Sequence, residues 1–150
     1  SPCYPPPMPD LARFHAAQAP VLPTALAELR AGRKVTHWMW FVFPQLAALG
    51  RSGTARFYGI ADLAEAREYL ADPVLAENLR AAARAVLSHP ERPAEAILGP
   101  VDALKLRSSA TLFREAGGGP EFQAVLDTFY AGRPCAPTLA ALQGGGAAGR

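Results

Sequence analysis

The chain has 150 residues, half of them hydrophobic, and carries a formal net charge of +2 at neutral pH. This length and apolar content are those of one globular domain with a single core. The small charge and the scattered Lys and Arg residues argue against the basic footprint of a nucleic-acid-binding protein, so we expect no nucleic-acid partner.

Membrane and secretion signals are not evident in the sequence. No run approaches the roughly 20 apolar residues of a membrane-spanning helix, and the first ten residues, SPCYPPPMPD, lack the basic and apolar regions of a signal peptide. We therefore expect a cytoplasmic protein with no membrane partner. Cys3 and Cys135 could join the two ends by a disulfide, but free thiols are expected in a reducing compartment. No Cys or His pair has zinc-site spacing, so neither a metal nor a cofactor is predicted.

Helical rather than alternating periodicity fills the segments between Pro, Gly and Asp residues. The N-terminal ends of the predicted helices, in chain order, are Asp10, Thr24, Asp62 (a capping box with Glu65), Asp72, Pro93, Val101, Pro120 and Thr138. The stop of the second helix is predicted at Gly32. Pro20 and Pro23 are expected to break the chain between the first two helices.

The predicted fold is all-α, a compact single domain of about six to eight short helices. Only KVTHWMWFVF could be extended, and it could equally form a short helix capped by Thr36. The domain is predicted over residues 10–142. Residues 1–9 are expected to be a flexible Pro-rich N-terminus and residues 143–150 a flexible Gly-rich tail.

The first segment with functional potential is KVTHWMWFVFPQL. It is apolar nearly all round and must be buried, so Lys34, His37 and Gln45 need partners or must line a cavity. In one interpretation Trp38 and Trp40 are simply core. In the other they form the wall of a site.

The glycine-punctuated connector GRSGTARFYGI brings hydroxyl and guanidinium donors close together, including those of Ser52 and Tyr58. Gly53 could allow a ligand to approach the backbone, as glycines do in anion-binding turns. No phosphate-binding glycine motif is present in the sequence, so the connector is a weak indication of function.

The segment VDALKLRSSATLFREA predicts a helix that leaves little surface for solvent, although it carries many polar side chains. Asp102 precedes Lys105 by three residues, and Ser108 and Ser109 follow one turn later, so these side chains can share a face. A desolvated lysine could act as base for a serine, or Lys105 and hydroxyls such as that of Thr111 could hold a phosphate or carboxylate. The alternative is a salt bridge with small residues that allow close helix packing.

Four stretches, LARFHAAQ, ALAELRAGRKVTHWMWFVFPQLAALGRS, YGIADLAEAREYLADPVLAENL and DALKLRSSATLF, resemble in this order the bacterial family called domain of unknown function 1810. The resemblance covers residues 10–142, and HWMWFVFPQL and LKLRSS are its most specific motifs. It implies a small, mainly helical single domain and no particular activity. Ala110 and Gly53-Thr54 depart from the family pattern, in which methionines are common, but the polar set is intact.

The motif positions of this family fall on residues that burial would leave in need of partners. They are Lys34, His37, Trp38, Trp40, Pro44, Gln45, Ser52, Tyr58, Lys105, Ser108, Ser109 and Thr111. We expect them to converge on one cleft, where aromatic rings stack on a planar group while Lys105 and the serine hydroxyls hold an anion. The expected ligand is an anionic or nucleotide-like small molecule, and the sequence identifies no protein partner.

Two classes of function fit these residues. The first is a hydrolase or glycosidase acting on a nucleotide-like or phosphorylated compound, with His37 as acid or base, Asp102 or Glu65 as the carboxylate, and Lys105 as a further catalytic residue. The second is a non-catalytic module that binds such a ligand or a protein. A concave surface uniting His37 with Lys105 favours the enzyme, whereas a flat aromatic patch with Lys105 bridged to Asp102 favours the module.

Overall fold

The computed structural model describes residues 10–148, with side chains described as far as Gly144. This part of the chain is helical, and its only extended pairing is one parallel bridge between Leu46 and Ile60. The helices are α1 (Ala12–Gln18), α2 (Leu22–Arg30), α3 (Met39–Val42), α4 (Gly53–Phe57), α5 (Leu63–Ala71), α6 (Pro73–Leu87), α7 (Ala94–Leu98), α8 (Pro100–Glu115), α9 (Pro120–Tyr130) and α10 (Ala136–Ala148), with a 3-10 helix over Ala47–Leu49. The all-α prediction is confirmed, and the predicted number of helices is too low.

The helices that raise the number are single turns, which are too short to display a helical period in the sequence. In α3 the N-cap position belongs to Trp38, which makes no side-chain cap bond. Thr36 is not the cap, because its hydroxyl donates to Glu28 instead, at 2.6 Å. In α4 the cap is Ser52, whose Oγ accepts from the backbone N–H of Ala55 at 3.0 Å.

The longer helices begin where their capping residues predict. Asp62 accepts from the Glu65 N–H at 2.9 Å at the start of α5, and Asp72 caps α6 in the same way. Pro23 does not break the chain, because it lies in the first turn of α2, where a missing N–H has no cost. The carboxylate of Glu65 accepts from the Ala61 N–H and pairs with Arg13, which completes the turn ahead of α5.

The core lies between α6, which packs against α2, α5 and α9, and α8, which packs against α5, α7, α9 and α10. Large side chains that are buried almost completely fill it: Phe14, Leu29, Trp38, Met39, Phe43, Ile60, Tyr69, Leu75, Leu79, Ile97, Phe113 and Phe122. The aromatic segment therefore contributes core residues, which agrees with the first interpretation for Trp38. No helix within residues 10–148 has the length and apolarity needed to cross a bilayer.

The structure describes most of the predicted C-terminal tail but not the predicted N-terminal one. The predicted flexible N-terminus, residues 1–9, lies outside the described residues, and so does Cys3, so its pairing with Cys135 stays a prediction. The predicted tail, residues 143–150, begins inside α10, which continues to Ala148. Its last two residues lie outside the described part.

Candidate functional site

The site begins with a chain reversal at the end of α2. Gly32 has a φ of +79°, its N–H donates to the Leu29 carbonyl at 3.0 Å, and the Arg33 N–H donates to the Glu28 carbonyl at 3.0 Å. This pair of bonds is a Schellman motif, in which a left-handed glycine satisfies the last carbonyls of a helix. The chain consequently turns back and runs alongside the last turn of α2.

Glu28 holds the returning chain in place. Its Oε1 accepts from the N–H groups of Val35 at 2.8 Å and Thr36 at 3.0 Å and from Nε1 of Trp38 at 2.9 Å, while Oε2 accepts from the Thr36 hydroxyl at 2.6 Å. Burial raises the pKa of Glu28, but these hydrogen bonds outweigh it and lower the pKa to about 2. The carboxylate is therefore ionised at neutral pH and its charge is spread over four donors.

Lys34 lies inside this fixed loop. Its backbone N–H donates to the Ile97 carbonyl at 2.7 Å, and its Nζ donates to the Thr36 carbonyl at 2.7 Å. The same ammonium lies 3.0 Å from Oδ2 of Asp102 and 4.9 Å from the centre of a Trp38 ring. One lysine thus joins the loop after α2 to the first turn of α8.

The start of α8 supplies the other half of the site. Gly99 has a φ of +87° and Pro100 is the first helical residue, which begins the helix sharply and places Asp102 in its first turn. Oδ1 of Asp102 lies 3.4 Å from Nζ of Lys105. Nζ of Lys105 is 5.1 Å from the centre of a Trp40 ring.

We call Lys34, Asp102 and Lys105, with the rings of Trp38 and Trp40, the lysine–aspartate cluster. Two ammonium groups share one carboxylate, so the cluster has a formal excess of one positive charge. Both cations also lie within the range of a favourable cation–π contact with tryptophan. Such an arrangement can attract an anion, and Trp40, which is half-buried, offers a ring to a planar group.

Three predicted ligand-binding residues are engaged elsewhere. Ser52 is exposed and caps α4, while Tyr58 packs against the rings of Phe14 and Phe41. Gln45 accepts from the Ile60 N–H through its backbone carbonyl, at 2.7 Å. The contacts of Ser52 and Tyr58 are therefore structural, and the contact of Gln45 involves its backbone alone.

Of the three predicted hydroxyl groups on α8, two are hydrogen-bonded within the residues described and one is not. Ser108 forms a buried hydrogen bond of 2.9 Å with Thr138, and Thr111 accepts from the Cys135 N–H at 2.8 Å. These bonds attach the start of α10 to α8. Ser109 is different, because its buried Oγ has no hydrogen-bond partner within residues 10–148. Ser109 follows Lys105 by one helical turn, so it shares a face with the cluster.

His37 is exposed, although it stands between Lys34 and Trp38 in the loop. Within the described range, no hydrogen bond or ion pair joins its ring to Lys105 or Asp102. The convergence that would favour an enzyme is therefore not visible in the contacts of His37. No group of three or more His, Cys, Asp or Glu side chains in that range could hold a metal ion.

Two hollows on the surface of the described part of the chain contain no predicted site residue. One has a volume of about 560 Å³ and is lined by Leu46, Ala48, Ala61, Asp62, Leu63, Ala64, Ala141 and Leu142. The other, of about 300 Å³, is lined by Arg30, Glu77, Ala81, Arg84, Ala85 and Ser88. The cluster is instead flanked in sequence by exposed apolar side chains, since Val35 is 68%, Val101 64% and Leu104 66% exposed.

Sequence reasoning missed Glu28, although it organises the loop. One signal could have found it. A carboxylate in the last turn of a helix is repelled by the negative end of the helix dipole. Glu28, four residues before Gly32, is such a carboxylate and therefore indicates a partner outside the helix. The identity of that partner depends on the chain reversal at Gly32, which no local pattern specifies.

Comparisons with known proteins agree with this fold and leave the activity open. The family described as protein of unknown function DUF1810 matches residues 8–142. The crystal structure of the conserved hypothetical protein Rv1873 from Mycobacterium tuberculosis is similar, with 47% sequence identity and a TM-score of 0.87, and the match covers 90% of this chain and 97% of that one. No curated protein matches the sequence.

Proposed function

The chain belongs to the DUF1810 family of proteins of unknown function, and from that premise we propose that it binds an anionic, nucleotide-like small molecule at the lysine–aspartate cluster. The observation that carries the proposal is the excess charge. Lys34 and Lys105 lie 3.0 and 3.4 Å from the same carboxylate, that of Asp102, so one positive charge is left for a ligand.

Lys105 is the cation that a ligand would contact first. Its side chain is more exposed than that of Lys34, and it makes no hydrogen bond to a protein acceptor within residues 10–148. The N–H donors of its ammonium that point away from Asp102 are thus available for phosphate or carboxylate oxygens. An ammonium on a flexible stem can follow such an anion without a fixed geometry.

The surroundings of Lys105 suit a ligand that combines an anion with a planar, apolar part. The half-buried ring of Trp40 lies beneath the ammonium and can stack on a base. The exposed Val101 and Leu104 on the same helix add apolar contact area.

Hydrolase or glycosidase chemistry has less support. Asp102 supplies one carboxylate, but the second carboxylate considered, that of Glu65, is bound to Arg13 on another part of the molecule. Ordinary glycosidases require two facing carboxyl groups. We therefore rank binding ahead of hydrolysis. A variant of His37 can distinguish the two functions, because the exposed imidazole of His37 is the acid or base expected for hydrolysis.

The proposal is tested by a thermal-shift screen of the purified protein against nucleotides, nucleosides, sugar phosphates and ADP-ribose. A ligand at 100 times its Kd should stabilise the fold by about 2.7 kcal/mol. Lys105→Ala should abolish the shift, whereas Arg67→Ala, which removes an exposed cation on α5, should retain it. No shift with any compound, or a shift that survives Lys105→Ala, would contradict the proposal.

Turnover is measured separately on each compound that binds. Chromatography of the incubated ligand shows whether product forms, with His37→Ala as the matched variant. Product that disappears in His37→Ala, with binding retained, would establish the hydrolase. Binding without product would establish the non-catalytic module.

A further inference from the structure

The loop between α2 and α3 lacks regular secondary structure, and one carboxylate takes most of its donors. Among residues 33–38, two backbone N–H groups, one hydroxyl and one indole N–H all donate to Glu28, at 2.6 to 3.0 Å. Further contacts of the loop are the Arg33 N–H on the Glu28 carbonyl, the Lys34 N–H on the Ile97 carbonyl and the Lys34 ammonium beside Asp102. Removing the carboxylate would leave four donors of the loop without their acceptor.

We infer that Glu28 is the positioning residue of the anion site: by fixing the backbone of the loop and the indole of Trp38, it sets the Lys34 ammonium on Asp102. This inference rests on the proposed function for its biological meaning. Its geometry does not, because the contacts of Glu28 and Lys34 exist in the protein alone. Glu28 binds the loop backbone and the indole of Trp38, so it would act on a ligand through Lys34 and Trp38.

The hydrogen-bond partners of Glu28 explain how a carboxylate can lie beside an anion site without occupying its cations. Glu28 keeps its negative charge, but its partners are the uncharged donors of Val35, Thr36 and Trp38 and not a lysine. The two lysines are directed to Asp102. A second carboxylate paired directly with either lysine would remove the positive excess on which anion binding depends.

The Trp38 bond fixes more than the loop. With Nε1 held by Glu28 and the ring 4.9 Å from the Lys34 ammonium, the indole can neither rotate nor withdraw without breaking one of these contacts. A rotated indole would release the cation–π contact and let Lys34 leave Asp102. The position of Trp38 is therefore a direct measure of whether the site is assembled.

Tryptophan fluorescence can read this position without any ligand. The chain has two tryptophans, Trp38 and Trp40, and both belong to the cluster. The variants are Glu28→Ala, which removes all four acceptor contacts, and Glu28→Gln, whose amide oxygen can still accept the three N–H bonds made by Oε1. Asp72→Ala is the control for general destabilisation, because Asp72 caps α6 and contacts His15 rather than the loop.

Three measurements are made on each variant: far-UV circular dichroism, tryptophan emission with quenching by iodide, and the Kd for ADP. We expect Glu28→Ala to keep its helical signal, to show a red-shifted emission and steeper quenching, and to bind ADP at least about tenfold more weakly, as loss of roughly one net hydrogen bond would give. Glu28→Gln should rescue all three properties. Asp72→Ala should lower the Tm and leave emission, quenching and affinity as in the wild type.

Unchanged emission and quenching in Glu28→Ala would overturn the inference, and so would an equal loss of ADP affinity in Glu28→Ala and Asp72→Ala. If the wild type does not bind ADP or any compound of the screen, the proposed function fails, but the emission and quenching still decide whether Glu28 positions the cluster. If Glu28→Ala does not fold, Glu28→Asp replaces it. Its carboxylate is one methylene too short for the same contacts, so the same change in emission is expected.

Discussion

The Lys34 ammonium lies 3.0 Å from the Asp102 carboxylate, with side-chain exposures of 9% and 17%. This ion pair connects two segments that are 68 residues apart in the chain. Because both groups are shielded from water, screening by solvent and salt is weaker than for a surface pair. The partner that remains after removal of either one is left as a partly buried charge.

We therefore predict that Lys34→Met destabilises the fold by about 1–3 kcal/mol, less than for a fully buried pair because Lys105 still compensates Asp102. Lys105→Met should cost less than about 1 kcal/mol, because its pair with Asp102 is longer and more exposed. Urea unfolding of the two variants measures the difference. Equal losses of stability would contradict the unequal burial of the two lysines.

The fold was predictable where the sequence carries complete local signals. Asp62 and Asp72 cap α5 and α6 as their spacing predicts, and Gly32 ends α2 with the positive φ that favours glycine. Helix α4 was not predicted, and a short helix near α3 was only an alternative to an extended segment, because a single turn has no period. Thr36 shows why a local pattern is not sufficient. Its side chain is typical of an N-cap, but the chain reversal places its hydroxyl against Glu28, to which it donates.

The candidate site was predictable only in part, for a physical reason. The pair of Asp102 and Lys105 follows from helical spacing alone, and the structure contains it. The addition of Lys34 and the roles of Ser108 and Thr111 depend on how the loop and α10 pack against α8. A polar residue in an apolar helix indicates a buried partner, but it does not reveal whether the partner is the protein or a ligand.

The stability of the protein should fall in acid partly through Glu28. Hydrogen bonding lowers the pKa of this group from 4.5 to about 2, against the effect of burial. A depressed carboxyl pKa stabilises the folded state above the unfolded value, and this contribution is lost as the pH falls from about 4.5 toward 2. Hydrogen bonding also lowers the pKa of Asp72, so the total acid effect is not due to Glu28 alone.

The contribution of Glu28 is isolated by comparison with Glu28→Gln. Between about pH 5 and pH 2.5, the free energy of unfolding should decrease more steeply in the wild type than in the variant. Urea unfolding at a series of pH values measures both slopes. Parallel slopes would mean that the loop hydrogen bonds do not hold Glu28 preferentially in its ionised form.

Gly59 should tolerate no side chain. A Cβ at this position would lie 2.3 Å from Cα of Ala47, because the bridge between Leu46 and Ile60 brings the two backbones together. Gly59→Ala must separate these backbones and should cost at least about 2 kcal/mol, at the upper end of overpacking effects. The matched control is Gly53→Ala, since a Cβ on Gly53 meets no atom within 4 Å.

In Gly53→Ala the change should be neutral or stabilising by up to about 1 kcal/mol, because alanine favours the helix and restricts the unfolded chain. The sequence indicates Gly53 as a position where a ligand could approach the backbone, and the space around a Cβ at Gly53 is open. Thermal unfolding of both variants measures the contrast. A neutral Gly59→Ala would show that the contact with Ala47 can relax without cost.

Gln18 connects four helices from the end of α1. Its Nε2 donates to the Phe41 carbonyl at 2.7 Å and to the Tyr69 hydroxyl at 2.9 Å, and its Oε1 accepts from Asn78 at 3.0 Å. The residue is 2% exposed, so water cannot replace these bonds. Burial raises the pKa of Tyr69, so its hydroxyl stays neutral and accepts from the amide.

Gln18→Leu should therefore destabilise the fold by about 2–4 kcal/mol, since it leaves the buried Phe41 carbonyl and Tyr69 hydroxyl and the half-buried Asn78 amide without this partner. Tyr69→Phe removes one end of the network and should cost about 1 kcal/mol. Because Phe41 lies in α3 next to Trp40, Gln18→Leu should also change the tryptophan emission of the folded protein, whereas Tyr69→Phe should not. Urea unfolding with fluorescence detection gives both quantities, and an unchanged emission in Gln18→Leu would show that the Gln18 bond does not hold α3 in place.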